Sequence, residues 1–166
     1  MELLGNPDPE FDPLYHVVLV EPEIPQNTGN IARLCAAAHS TLHLVRPLGF
    51  FLDDRRMRRA GLDYWDQMQL VVHDSWDALV QTYPGARFFL ATTHSRRFYT
   101  SVRYRRGDFL VFGRETAGLP ASLLAAHADW TIHIPMWPTA RSLNLANSVA
   151  IVLYEALRQV EFAGLA

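Results

Sequence analysis

Six short, continuously apolar runs constrain this chain more than any other feature. They are YHVVLV at 15–20, TLHLV at 41–45, QLVVH at 69–73, RFFLAT at 87–92, DFLVFG at 108–113 and WTIHI at 130–134. Strict alternation would mark strands with one wet face. Continuous hydrophobicity marks strands covered on both faces, as in a parallel sheet packed between helices. Helical patterns lie between the runs. Ile31, Leu34, Cys35 and Ala38 follow i, i+3, i+4, i+7 spacing. SWDALVQTY at 75–83 opens on a serine suited to capping, and LPASLLAAH at 119–127 carries Pro120 where a first helical residue belongs. A last helix is expected over roughly 143–160. This rhythm predicts a three-layer α/β domain. In such folds ligands meet the loops after the carboxyl ends of strands, here those after 92, 112 and 134.

The 166 residues suffice for one domain with its own core. The longest apolar run, VAIVLY at 149–154, is too short to cross a bilayer, so no membrane association is expected. The opening MELLGNPDPEFDPLY has neither a basic region nor an apolar stretch of signal-peptide type. Residues 1–14, rich in proline and acids, read as a flexible extension ahead of a single domain at 15–166. The lone cysteine, Cys35, excludes an internal disulfide and suits a reducing cytoplasm. The seven histidines show no metal-ligand spacing, so no metal is expected, and His43 and His133 read as core or rim residues. The chain also lacks the Walker phosphate loop, the G-x-G-x-x-G fingerprint and the G-x-S-x-G elbow.

The net charge of −2 conceals a pattern. All fifteen basic residues are arginine, and without the acidic extension the balance is +2. Nine of the fifteen fall in two segments: Arg55, Arg56, Arg58 and Arg59, then Arg96, Arg97, Arg103, Arg105 and Arg106. Phe98, Tyr99 and Tyr104 interleave the second segment. Arginine mixed with aromatics suits phosphate and base contacts, although a solvated charged surface has the same composition.

Three constellations carry chemistry. In EPEIPQNTGNIARLCAAA, prolines end a strand and Asn27 or Thr28 is placed to cap the next helix. Arg33 lies opposite the apolar stripe of that helix, on a side suited to an anion or to plain solvent. In FLVFGRETAGLP, Gly113 and Gly118 bracket a tight loop in which backbone could approach a ligand, and Glu115 could hold an ammonium, cap amides or form a salt bridge. In RSLNLANSVAIVLYEAL, Asn144, Asn147, Ser148 and Ile151 form one stripe beside the apolar face. Polar groups at the start of a core helix require partners, whether a ligand, a packed loop or the helix's own cap.

Together EPEIPQNTGNIARLCA, RRAGLDYW, FGRETAGLP and IPMWPTARSLNLANSVAIVLYEA resemble the SPOUT-class RNA methyltransferases, over about residues 15–162. Within that class the likeness is to the small tRNA 2′-O-methyltransferases of the wobble nucleotide, the TrmL group. The resemblance implies a deep C-terminal trefoil knot and S-adenosylmethionine bent within it. It implies a cofactor pocket of Ala91, Thr92, Gly113, Glu115, Ile134, Met136, Ser142, Leu143 and Asn147. It implies catalytic duty for Arg33, with Asn27, Ser142 and Asn144 positioning it and the ribose. A homodimer through the first and last helices, an anticodon stem-loop substrate and a cytoplasmic setting follow. Arg114 departs from the family, whose close members often carry proline there. Two rivals remain: a related enzyme acting on ribosomal RNA, and a non-catalytic RNA-binding α/β module.

Overall fold

The computed structural model of the protein describes residues 1–5, 10–52 and 69–166. Arg55, Arg56, Arg58, Arg59 and the motif RRAGLDYW lie outside the described residues. Among the described residues seven strands form one sheet: β1 (Glu2–Gly5), β2 (His16–Val20), β3 (Thr41–Val45), β4 (Gln69–His73), β5 (Phe88–Ala91), β6 (Phe109–Phe112) and β7 (Thr131–Ile132). Their spatial order is β1-β4-β3-β2-β6-β5-β7. All pairings are parallel except that of β1, which runs antiparallel to β4 with Leu3 opposite Val71. The expected flexible extension is therefore corrected at its start. Residues 2–5 form an edge strand, and Glu2 pairs with Arg46 at 3.1 Å. Four residues with no strong β pattern gain order only from the neighbouring strand.

Helices cover both faces. On one lie α1 (Pro25–Ala37) and α4 (Leu145–Gln159); on the other lie α2 (Trp76–Thr82) and α3 (Ala121–Ala126). The pleat sorts the strand residues between them. Val17, Leu19, Leu42, Leu44, Leu110 and Phe112 join α1 and α4 in the larger core. Val18, Val20, Val45, Leu90, Phe109 and Val111 join Leu79 of α2 and Leu123 of α3 in the smaller one. Burial on both faces is the reason the runs are continuous. Along α4 the buried residues Leu145, Val149, Val152, Leu153, Ala156 and Leu157 repeat at helical spacing, and Tyr15 donates its hydroxyl proton to the Ala156 carbonyl at 2.9 Å. α4 begins two residues later than expected, and α3 begins at Ala121 with Pro120 just outside it.

Three histidines cross the sheet beneath α2. His16 Nδ1 lies 2.9 Å from His43 Nε2, and His43 Nδ1 lies 3.0 Å from His73 Nε2. Tyr83 and Phe109 pack around them. Burial pushes His16 and His73 down to about 4, and it holds His43 well below the ordinary imidazole range, with the neighbouring His16 and His73 adding to the effect. His43 is thus a core residue, as expected from its strand pattern.

Candidate active site

β5, β6 and β7 are neighbours in the sheet although far apart in the chain, and all three end on the same side. The loops that follow converge on a cavity of about 790 Å³. That volume lies within the usual range of small-molecule sites, about 300–1,000 Å³. Thr92 continues the sheet into the loop, its N–H donating to the Ile132 carbonyl at 2.9 Å.

The loop after β6 turns back on itself. Arg114 and Gly118 exchange backbone hydrogen bonds of 3.1 and 2.9 Å. A Cβ on Gly113 would lie 2.1 Å from the Gly118 carbonyl carbon, and Gly118 itself has φ +67. Both positions thus require glycine for loop geometry: at 113 the close approach is to the loop's own returning strand rather than to a ligand. Arg114, the family departure, forms an ion pair with Glu21. Its charge is matched and its backbone tied, so the loop stays fixed without proline.

α1 starts at Pro25, so Asn27 and Thr28 are buried inside its first turn and neither is its cap. The cap comes from the β6 loop. Glu115 accepts hydrogen bonds from the N–H of Glu23 at 2.8 Å and of Ile24 at 3.1 Å. Glu23 reciprocates, accepting from the Thr116 N–H at 3.1 Å and from the Thr116 hydroxyl. This clasp satisfies donors that a helix start leaves free and puts negative charge at its positive end.

From the clasp a relay runs into the last helix. Asn27 Nδ2 donates to Glu115 at 3.2 Å, and Asn144 Nδ2 donates to Asn27 Oδ1 at 3.1 Å. Asn144 then caps α4 by accepting from the Asn147 N–H at 3.3 Å, and Ser148 donates to the Asn144 carbonyl at 3.2 Å. A carboxylate only accepts and a backbone N–H only donates. Both ends therefore fix which way each asparagine amide points. The polar start of α4 is accounted for by capping and by this relay.

Eight of the expected pocket residues line the cavity: Ala91 and Thr92, Gly113 and Glu115, Ile134 and Met136, Ser142 and Leu143. Asn147 does not line it and is exposed on the first turn of α4. Asn27 and Asn144 stand behind Glu115 rather than on the wall. Arg33 is exposed on α1, about 9 Å along the helix axis from Asn27, and also lies off the wall. Sequence reasoning missed Leu119 and Leu124, which supply apolar wall, and Arg141 and His94, which supply polar rim. The available signal was position: each lies within a few residues of an identified loop. Among the described residues no group of histidine, cysteine and acids could hold a metal ion.

Fold and site define an α/β ligand-binding domain whose cavity opens at the carboxyl ends of three adjacent strands. More particularly, the chain belongs to the SpoU rRNA Methylase family, which it matches over residues 15–154. It is 51% identical over 154 residues to the tRNA (cytidine(34)-2'-O)-methyltransferase of Burkholderia cenocepacia, a match covering 91% of this chain and 99% of that one. A solved structure described as giving insight into the 2-OH methylation of C/U34 on tRNA is 47% identical, with a TM-score of 0.85 over 89% of this chain and 97% of that one. An AdoMet-bound rRNA methyltransferase from Sinorhizobium meliloti is 28% identical, with a TM-score of 0.78 over 88% of this chain and 56% of that one.

Proposed function

We propose that this protein transfers the methyl group of S-adenosylmethionine to the ribose 2′-oxygen of the wobble nucleotide, cytidine or a modified uridine, in the anticodon loop of a tRNA. The observation that carries the reading is the convergence of the loops after β5, β6 and β7 with Ser142 and Leu143 on one cavity. Identity of 51% over nearly the full length of a tRNA enzyme favours this substrate over ribosomal RNA. The deep trefoil knot of the family belongs to the same reading, with the segment 135–144 threaded beside the β6 loop.

The cavity fits the cofactor in size and chemistry. Leu119, Leu124 and Leu143 bring apolar side chains to the wall for an aromatic ring, and Thr92 and Ser142 bring hydroxyl-bearing residues to it. The cofactor, when bound, supplies an electrophilic methyl group and a neutral thioether leaving group, so no general acid is needed. The protein's task is to hold a hydroxyl in line and to favour its developing negative charge. Arg33 is assigned that role as orienter of the ribose oxygen or its adjacent phosphate, since a guanidinium is a poor proton acceptor. Ser142 faces the cavity, while Asn27 and Asn144 set the register of α1 against α4 through the relay.

The assembly is a homodimer through α1 and α4. Most of VAIVLYEAL is committed to the protein's own core, which leaves Tyr154 exposed on α4, and Asn30, Arg33 and Ala37 are exposed on α1. The setting is the cytoplasm; no helix among the described residues is long and apolar enough to cross a membrane. The test is mass mapping of nucleosides in tRNA incubated with protein and cofactor. A 2′-O-methyl group at position 34 is expected. Methylation only of ribosomal RNA, or none with a folded cofactor-binding protein, would overturn the reading in favour of one of its rivals.

A further inference from the structure

A second concavity, of about 730 Å³, shares no lining residue with the cavity described above. Arg87, Arg97, Arg103 and Arg105 line it together with Trp130 and Asp129. Arg87 immediately precedes β5, Trp130 immediately precedes β7, and Arg103 and Arg105 lead into β6. The cleft therefore sits at the amino ends of the three strands whose carboxyl ends frame the cavity. Four strand residues span about 13 Å, so Arg87 and Trp130 stand at the opposite ends of their strands from the cavity, while Arg97 reaches the cleft from the loop after β5.

The arginines are held in place by the fold. Arg87 donates to the Arg103 carbonyl at 2.8 Å, approaches Asp108 at 3.3 Å, and lies 5.2 and 5.8 Å from the rings of Phe89 and Trp130. Arg97 donates to the Asp129 carbonyl at 3.0 Å. A carbonyl orients a guanidinium without neutralising it. Among the described residues, Asp129 is the one carboxylate in the lining beside four guanidinium groups, Asp108 pairs with Arg87 from outside it, and Arg103 and Arg105 are exposed. Trp130 packs edge-on against Phe89 with centroids 5.4 Å apart, yet remains 40% exposed. A charged rim around a partly open, rigidly seated indole matches the chemistry of a nucleotide chain, anionic at its phosphates and flat at its bases.

We propose that this cleft is a second RNA contact, outside the cofactor cavity, in which Arg97, Arg103 and Arg105 hold backbone phosphate and Trp130 stacks on a neighbouring base. It rests on the reading that the substrate is a tRNA. It contributes to holding the RNA and takes no part in methyl transfer.

The experiment measures the affinity of unmodified tRNA at several salt concentrations, with single-turnover methylation at saturating tRNA. Wild type is compared with the double variant Arg103→Ala/Arg105→Ala and with Trp130→Ala and Trp130→Phe. The double variant is expected to bind tRNA more weakly and to lower the slope of log affinity against log salt by about 1 to 2. Trp130→Ala should weaken binding about fivefold or more, and Trp130→Phe, which keeps a ring, should recover most of it. Cofactor affinity and the saturating rate should stay at wild-type values in the double variant. Wild-type protein that neither binds nor methylates tRNA would sink the functional reading itself. Normal wild-type activity with an unchanged affinity or unchanged salt slope in the double variant would overturn the cleft alone. The exposed arginines carry no core, and the phenylalanine variant separates stacking from folding at Trp130.

Discussion

Glu115→Gln tests the clasp between the β6 loop and α1. The carboxylate accepts from two backbone N–H groups, at 2.8 and 3.1 Å, and from Asn27 at 3.2 Å. Glutamine keeps the shape but replaces one accepting oxygen with an NH2 group. Whichever way the amide turns, at least one donor faces another donor. Loss of one hydrogen bond to a charged acceptor costs about 1.5–3 kcal/mol. Loss of negative charge at the start of α1 adds about 0.3–1 kcal/mol. Glu115 is half-buried, and water returns part of this, so about 2 kcal/mol is expected overall. For a domain of this size that lowers Tm by about 4–8 °C. The same loop walls the cavity, so cofactor affinity should fall as well. Differential scanning calorimetry and cofactor titration on Glu115→Gln and its counterpart Glu23→Gln read both effects. A Tm within about 1 °C of wild type together with unchanged affinity would refute the clasp as the device that holds the loop.

Arg33→Ala should abolish methyl transfer while leaving Tm and cofactor affinity nearly unchanged, because Arg33 is exposed and its truncation opens no core cavity. Arg33→Lys should recover little, since lysine lacks the planar fork; near wild-type single-turnover rates in Arg33→Ala would remove Arg33 from the mechanism. Stability should fall as pH drops from about 6.5 toward 4: His16 and His73 titrate near 4 when folded and near 6.5 when unfolded, so the unfolded chain takes up protons first. Tm measured between pH 7.5 and 5 checks this, and a flat profile would contradict the buried histidine chain as an acid-labile element. Light scattering at micromolar concentration should give twice the chain mass of 18.9 kDa, and a monomeric mass would exclude the α1 and α4 interface.

Local periodicity determined a good part of this protein. Burial on both faces writes itself as continuous apolar runs, so six of the seven strands were legible to within about two residues. The helical stripes of α1 and α4 were legible for the same reason, since burial repeats with the turn of the helix. The tight loop between Gly113 and Gly118 could be read from its glycines, whereas the reason for Gly113, a backbone 2.1 Å from where its Cβ would stand, could not. Strand order belongs to the tertiary structure, because periodicity states that a strand is covered and not which strands flank it. Only the order β6-β5-β7 puts Ala91, Gly113 and Ile134 around one cavity. β1 was illegible because its order comes from pairing with β4. The relay was illegible too: Glu115 and Asn27 stand 88 positions apart, and Asn27 and Asn144 stand 117 apart. Each residue could be read only in its local setting, and the cap of α1 was misassigned to Asn27 or Thr28. Hydrogen bonds across such separations form only once the sheet has closed the intervening chain, and nothing in the neighbouring residues encodes them.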